Sequence, residues 1–178
     1  MADIAEACGI AKATMYEYFS SKEELAAEWS RRFRSEYEER VARDVLIHDS
    51  PSEKMKAMIR LDLERIRTFS GHFLTAFDGP NAIFSNKESC FLKEISAILT
   101  YRNELILSII EEGQRNGEFR KIDPKFVTTT LVGIFLSLQR AAIEAKDSEK
   151  CVFGRLFPFQ EEWDGDLVID YIFHGIAG

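Results

Sequence analysis

Histidine, the side chain that most often binds metals or transfers protons near neutral pH, occurs at three isolated positions. None of His48, His72 and His174 has a glutamate at the Glu-x-x-His spacing of helical metal sites. The chain also has no glycine-rich phosphate loop, and no set of acid, base and nucleophile can be grouped from its spacing. We therefore expect no catalytic site, no metal and no cofactor, and a helical enzyme is disfavoured.

The three cysteines also lie far apart in the chain. Cys8, Cys90 and Cys151 form no Cys-x-x-Cys pair, and their number is odd, which argues against a disulfide framework and a zinc site. We interpret them as reduced thiols that pack in the structure, with redox sensing by Cys90 or Cys151 as the alternative.

The first 19 residues have the spacing of two short helices that cross. Ala5 lies four positions before Gly9; a small residue permits a close crossing, and glycine takes a turn conformation that a side chain would penalise. The apolar positions that fit the facing sides of such a pair are Ile4, Cys8, Ile10, Met15 and Tyr18. The pattern predicts a helix-turn-helix.

The elements that position this unit are helices as well. Apolar residues recur every four positions from Leu25 to Val45, which predicts one long helix from about Lys22 to about Ile47. At about 1.5 Å per residue it spans about 40 Å and can connect two packed units. Prolines and glycines at helix ends predict four further helices. One begins at residue 51, and the others cover about 91–116, 124–145 and about 161–176. Since no period-two alternation of strands is found, the fold class is all-α.

The last two predicted helices are unusually apolar, and the first of them carries small residues that allow another helix to approach closely. A dimer interface explains this composition better than a solvent face, and packing in a monomer core is the alternative. The predicted interface residues are Val127, Leu131, Ile134, Phe135, Leu138, Ala142, Leu167, Val168, Tyr171 and Ile172.

Several short stretches of the chain form a recognisable signature. Those in the first 25 residues are Asp3-Ile4-Ala5, Ala7-Cys8-Gly9-Ile10, Thr14-Met15-Tyr16, Tyr18-Phe19, Ser21-Lys22 and Glu24-Leu25, and a second pattern runs from Glu111 to Pro124. Together they resemble the TetR family of transcriptional regulators. The resemblance implies a helix-turn-helix DNA-binding domain over 1–43, which includes the start of the connecting helix, and a ligand-binding and dimerisation domain over 44–178. That family has one more helix before this segment, so we expect the chain as given to lack the first helix of the DNA-binding domain.

The resemblance also implies that Ala11 to Phe19 is the recognition helix and lies in the major groove. Family members usually have Ser or Thr where Ala11 stands, so a capping hydroxyl is absent here, at a cost of about 1 kcal/mol. The implied DNA contacts are Lys12, Ala13, Thr14 and Glu17 near the bases, and Tyr16, Tyr18 and Lys22 at phosphates.

An effector pocket is predicted from composition. Aromatic and methionine side chains in the middle of the chain favour a largely apolar ligand, and core packing explains them equally well. Charged residues on the bordering helices, among them Arg65, are either polar anchors for the ligand or surface charges. The predicted pocket residues are Met55, Met58, Arg60, Asp62, Phe69, Phe73, Phe77, Phe84 and Arg102.

The net charge of -7 means that any contact with DNA must be local. No apolar run approaches the roughly 20 residues of a membrane span, so we expect a cytoplasmic protein with no membrane partner. The resemblance implies a homodimeric regulator, most simply a repressor, that binds palindromic operator DNA and is released by a small apolar effector. The alternative is a helical small-molecule-binding dimer that no longer binds DNA because the first helix is absent.

Overall fold

The structure is a computed structural model that describes residues 1–69, 90–145 and 165–176. These residues form helices joined by short connections, and no β-sheet occurs among them. The helices are α1 (Ala2–Ala7), α2 (Lys12–Tyr18), α3 (Lys22–Arg40), α4 (Pro51–Phe69), α5 (Cys90–Asn116), α6 (Pro124–Ala145) and α7 (Gly165–Ile176), with a π-helical turn (Val41–Val45) after α3. The all-α prediction is confirmed, and the predicted residues 161–164 of the last helix lie outside the described residues.

The two N-terminal helices cross through a tight turn. Gly9 has a φ of +68°, in the left-handed region that glycine enters without strain. Ala5 is 2% exposed and Met15 5% exposed, so both side chains lie in the crossing. Ala11, the N-cap of α2, makes no side-chain hydrogen bond to the helix. The predicted helix-turn-helix is therefore confirmed, but Cys8, Ile10 and Tyr18 are exposed and do not lie in the crossing as predicted.

α3 begins with a reciprocal cap. The Ser21 hydroxyl accepts a hydrogen bond of 3.0 Å from the backbone N–H of Glu24. The Glu24 carboxylate accepts bonds of 2.6 Å from the Ser20 hydroxyl and 2.7 Å from the Ser20 backbone N–H, and these bonds lower the pKa of Glu24. Because the Ser21 hydroxyl satisfies one free N–H group of the first turn, the cap defines where the connecting helix leaves the helix-turn-helix.

The long predicted helix is present, but its last turn is π-helical. Over Val41–Val45 the backbone hydrogen bonds join residues that are five positions apart instead of four. The N–H of Leu46, for example, donates to the carbonyl of Val41 over 2.9 Å. Tyr37, Val41 and Val45 are all buried, although each four-residue step along an α-helix turns the side-chain direction by about 40°. The wider turn reverses part of this drift, so all three side chains face the core. The helix runs across the predicted domain boundary between residues 43 and 44, which stays a prediction.

The core lies among α4 to α7 and the second half of α3, which we call the body. α5 packs against α3, α4 and α6, and α4 packs against α7. The buried apolar residues of the body are Tyr37, Val41, Val45, Met55, Met58, Ile59, Leu61, Leu63, Ile66, Ile95, Ile98, Ile106, Ile109, Ile110, Phe119, Val127, Leu131, Phe135, Ile169 and Ile172.

The connection between α5 and α6 packs tightly against the end of α5. A methyl group on Gly113 would overlap the ring of Phe119, so only glycine allows this ring to lie there. The side-chain amide of Gln114 donates hydrogen bonds to the carbonyls of Arg120, at 2.8 Å, and Ile122, at 2.6 Å. The connection is therefore held by groups from the helix that precedes it.

Glu118, in the same connection, caps α4 from a distance. Its carboxylate accepts hydrogen bonds from the hydroxyl of Ser50, at 2.8 Å, and from the backbone N–H of Ser52, at 3.0 Å. Bonds from Ser52 and Ser50 lower the pKa of Glu118. A carboxylate at a helix N-terminus also interacts favourably with the helix dipole.

Glu118→Gln is expected to lower the free energy of unfolding by about 1 kcal/mol near neutral pH. The pKa of Glu118 in the folded protein is below its ordinary value of 4.5. The carboxylate therefore stabilises the fold at pH values above 4.5, and this stabilisation is lost as the pH falls through the lowered pKa of the folded state. Urea denaturation between about pH 7 and about pH 3 should therefore show a shallower loss of stability for E118Q than for the wild type. Glu104→Gln, at an exposed position of α5, is the control, and identical pH profiles for E118Q and the wild type would contradict the cap.

No helix in the described residues is long and apolar enough to cross a bilayer. In the same part of the chain, no three His, Cys, Asp or Glu side chains gather in a way that could hold a metal ion.

Candidate functional sites

α2 holds most of the residues predicted to contact DNA. Met15 points into the helix crossing, so the opposite side of this two-turn helix faces outward. Tyr16 is 47% exposed and Tyr18 73% exposed, which is a high fraction for aromatic side chains. Thr14 is half-buried, and the other predicted contacts are exposed, namely Lys12, Ala13, Tyr16, Glu17, Tyr18 and Lys22. Contact of this set with DNA stays a prediction.

The exposed groups of α2 and the start of α3 suit a phosphate-bearing partner. The Lys12 ammonium lies 5.9 Å from the centroid of the Tyr16 ring, within range of a cation–π attraction. Tyrosine hydroxyls and lysine ammonium groups both donate hydrogen bonds to phosphate oxygens. Lys22 is the first residue of α3, where the helix dipole and free N–H groups favour an anion.

The positive charge available here is local. Farther along α3, Glu28 accepts hydrogen bonds from Arg31 at 2.8 Å and Arg32 at 3.3 Å, and these bonds lower the pKa of Glu28. The carboxylate offsets part of the arginine charge. Residues 1–30 contain two basic side chains, Lys12 and Lys22.

A charged cluster lies inside the body, where α4 faces α5. Asp62 is 4% exposed and Arg102 5% exposed. Asp62 Oδ2 accepts hydrogen bonds from Arg102 Nη2 at 2.6 Å and Nε at 2.7 Å. Burial opposes the charged form of Arg102, but the Asp62 carboxylate outweighs it and raises the pKa of Arg102. Two of the predicted ligand anchors therefore bond to each other.

Arg65 extends this cluster to α3. Its Nη1 lies 3.5 Å from Asp62 Oδ1, and its guanidinium carbon lies 5.2 Å and 4.6 Å from the ring centroids of Phe33 and Tyr37. Burial and the Asp62 charge raise the pKa of Tyr37, whereas Arg65 and Arg102 act in the opposite direction. We call Tyr37, Asp62, Arg65 and Arg102 the Asp62 cluster; it joins α3, α4 and α5.

The other predicted pocket residues lie in different environments. Met55 and Met58 are each 1% exposed and belong to the packed core, which is the alternative interpretation of these residues. Arg60 is on the surface and pairs with Asp166 of α7 at 3.0 Å. The side chain of Phe69, and Phe73, Phe77 and Phe84 altogether, lie outside the described residues. Ligand contact by any of these residues stays a prediction.

α6 and α7 flank an apolar groove of about 480 Å³. Phe126 and Tyr171 line it and are 66% and 78% exposed. Leu136, 50% exposed, and Leu167, 63% exposed, lie on the same two helices. This part of the surface therefore exposes several large apolar side chains.

The predicted interface residues divide between this surface and the core. Leu167 and Tyr171 are exposed, Ile134, Leu138 and Val168 are half-buried, and the side chain of Ala142 is outside the described residues. Four predicted interface residues are buried within the chain itself, namely Val127, Leu131, Phe135 and Ile172. Three of them, Val127, Leu131 and Ile172, also line the groove, so contact with a second copy stays a prediction. The exposed Phe126 and Leu136 are not among the predicted interface residues, because a helix that is apolar on two sides does not reveal which side faces inward.

Comparisons with known proteins agree with this architecture. Residues 1–29 match the family model of bacterial regulatory proteins, tetR family. The transcriptional regulator FadR from Bacillus subtilis, solved with stearoyl-CoA, is 20% identical with a TM-score of 0.65, over 98% of this chain and 87% of that chain. AibR, solved with isovaleryl coenzyme A and operator DNA, is 16% identical with a TM-score of 0.64, over 97% and 84%. A regulator of the TetR/AcrR family from Thermobifida fusca YX-ER1 is 25% identical with a TM-score of 0.57, over 97% and 82%.

These matches confirm the predicted resemblance to the TetR family and the predicted fold. The family model covers the helix-turn-helix and the start of α3. The body resembles the solved structures in its fold. A comparison with curated protein sequences yields no match.

Proposed function

We propose that this chain is a ligand-responsive transcriptional repressor, which binds palindromic operator DNA as a homodimer and is released by a small, largely apolar effector. The observation that carries the proposal is the exposed α2, which presents Lys12, Tyr16 and Tyr18 in a segment that matches the tetR-family model. Exposed aromatic rings gain little from water, whereas phosphates and base edges offer them partners. Such a protein acts in the cytoplasm, and no catalytic role is part of the proposal.

The exposed apolar surface of α6 and α7 supports dimerisation. A second copy of the chain would cover Phe126, Leu136, Leu167 and Tyr171. In a twofold dimer the same two helices of each copy would form a four-helix bundle. Two recognition helices held about 34 Å apart would then enter successive major grooves on one side of the DNA.

The effector would act through α3. This helix carries the helix-turn-helix at one end and contributes Tyr37 to the body core near the other. An effector that binds better to the spacing incompatible with DNA shifts the equilibrium, and a coupling free energy of about 1–3 kcal/mol gives a useful switch. FadR and AibR are solved with acyl-CoA ligands, which favours an effector with an apolar chain.

Lys22→Ala is expected to weaken operator binding about tenfold and to reduce the slope of log affinity against log salt by about one, because one phosphate contact is lost. The measurement is an electrophoretic mobility shift over a range of salt concentrations, with a duplex that the wild-type chain has selected from a random-sequence library. Lys93→Ala is the matched control, since Lys93 is an exposed lysine on α5 of the body. Equal effects of the two substitutions would place the DNA contact elsewhere.

The same selection separates the two functions that the sequence leaves open. Thr14→Val is expected to change which sequences are enriched, because base contacts specify sequence and phosphate contacts do not. A folded wild-type chain that enriches no duplex would overturn the DNA-binding proposal and favour the helical small-molecule-binding dimer.

A further inference from the structure

The guanidinium of Arg65 contacts Asp62 and Tyr37, but one of its N–H donors has no partner in the described structure. Its Nη1 lies at the long distance of 3.5 Å from Asp62 Oδ1. Its Nε is buried and makes no hydrogen bond within the described part of the chain. Because buried donors are almost always paired in proteins, an unpaired one calls for an explanation, such as a ligand that supplies the missing acceptor.

The balance of charge around Arg65 points in the same direction. Among the described residues, the Asp62 cluster contains one carboxylate, from Asp62, and two guanidiniums, from Arg65 and Arg102. The Asp62 carboxylate already accepts two hydrogen bonds from Arg102, at 2.6 and 2.7 Å. Within the Asp62 cluster two guanidiniums therefore share one carboxylate, so an additional anion beside the partly buried Arg65 would be favourable.

The surroundings of Arg65 suit an anion that has an apolar tail. The rings of Phe33 and Tyr37 lie against the guanidinium, and a planar guanidinium binds a carboxylate through two parallel N–H donors. The Arg65 side chain is 22% exposed, so it is accessible from outside the core.

We propose that Arg65 binds the carboxylate of an apolar monocarboxylate effector. This inference rests on the proposed function and names the chemical class of its effector. Arg102 is the less suitable anchor because it is 5% exposed and already bonds Asp62 at 2.6 and 2.7 Å, whereas Arg65 is more exposed and lies where α4 meets α3. A carboxylate bound there would contact the helix that carries the helix-turn-helix, which connects effector binding directly to the position of α2.

Trp29 provides a spectroscopic reporter for this site. Its ring stacks on Phe33 with centroids 5.3 Å apart, and Phe33 in turn lies against Arg65. The chain has two tryptophans, so a Trp163→Phe background leaves Trp29 as the single emitter. The probes are octanoate and its uncharged counterpart octan-1-ol, each titrated into the full chain.

In this background octanoate is expected to bind at least about ten times more tightly than octan-1-ol, because only the carboxylate can pair with the guanidinium. Arg65→Gln should reduce this ratio to about one, and Arg65→Lys should give an intermediate ratio. Arg43→Gln, which removes a surface arginine paired with Asp44, is the matched control and should leave the ratio unchanged. Because the ratio compares two probes on one protein, a general loosening of the body does not alter it.

Three results would overturn the inference: no octanoate binding, equal affinity for both probes, or an unchanged ratio in both Arg65 variants. The proposed function is tested separately by the DNA selection. If the chain selects an operator but fails the octanoate test, the effector is not a carboxylate bound at Arg65 and the regulator function stands.

Discussion

Asp62→Ala is expected to lower the free energy of unfolding by about 3–5 kcal/mol, because it leaves a buried guanidinium without its carboxylate. Arg102 is 5% exposed, and the ring centroid of Phe135 lies 5.1 Å from its guanidinium carbon. Among the described residues, Asp62 is the carboxylate that contacts Arg102, at 2.6 and 2.7 Å. Urea denaturation followed by circular dichroism measures the change.

Asp166→Ala is the matched control for this substitution. It also removes the carboxylate of an arginine pair, at 3.0 Å from Arg60, but these side chains are 71% and 55% exposed. Solvent screens such a pair, so the expected loss is about 1 kcal/mol or less. The double substitution D62L/R102M removes both charges and should recover most of the stability lost in D62A. A loss in D62A no larger than that in D166A would contradict a buried charge pair.

Tyr171→Glu is expected to convert the proposed dimer into monomers and to abolish the proposed operator binding. Tyr171 lines the groove between α6 and α7 and is 78% exposed in the single chain. In the proposed dimer a glutamate there would be buried without a partner, at a cost of about 3 kcal/mol or more, which weakens dimerisation by a factor of more than about 100. Size-exclusion chromatography with light scattering measures the change in mass.

Leu99→Glu controls for the addition of an acid at an exposed apolar position. Leu99 lies on α5 and is 41% exposed, so L99E should remain a dimer and bind the operator like the wild type. Both variants should remain folded and helical by circular dichroism, because neither position is buried within the chain. A Y171E protein that still runs as a dimer would show that the α6–α7 surface is not the interface.

Helix boundaries that depend on local chemistry were predictable from the sequence. Pro51 and Pro124 begin α4 and α6, and α5 ends at Asn116, directly before Gly117 with a φ of +78°. Prolines, caps and glycines act within one turn of the chain, so their effect is visible in the residues themselves. The π-helical turn at Val41–Val45 was not predictable, because it keeps the end of this helix facing the core and no local preference requires it.

The sequence by itself determined that this chain is helical, that its first 19 residues form a helix-turn-helix, and that this segment resembles the TetR family. Only the tertiary structure decided which groups became partners. Asp62 bonds Arg102 across 40 residues, and Glu118 caps α4 across 66 residues. It also decided that Phe135 lies in the core while Phe126 lies outside. The physical reason is that helical periodicity shows which residues share a face, whereas what covers that face depends on elements that are distant in the chain.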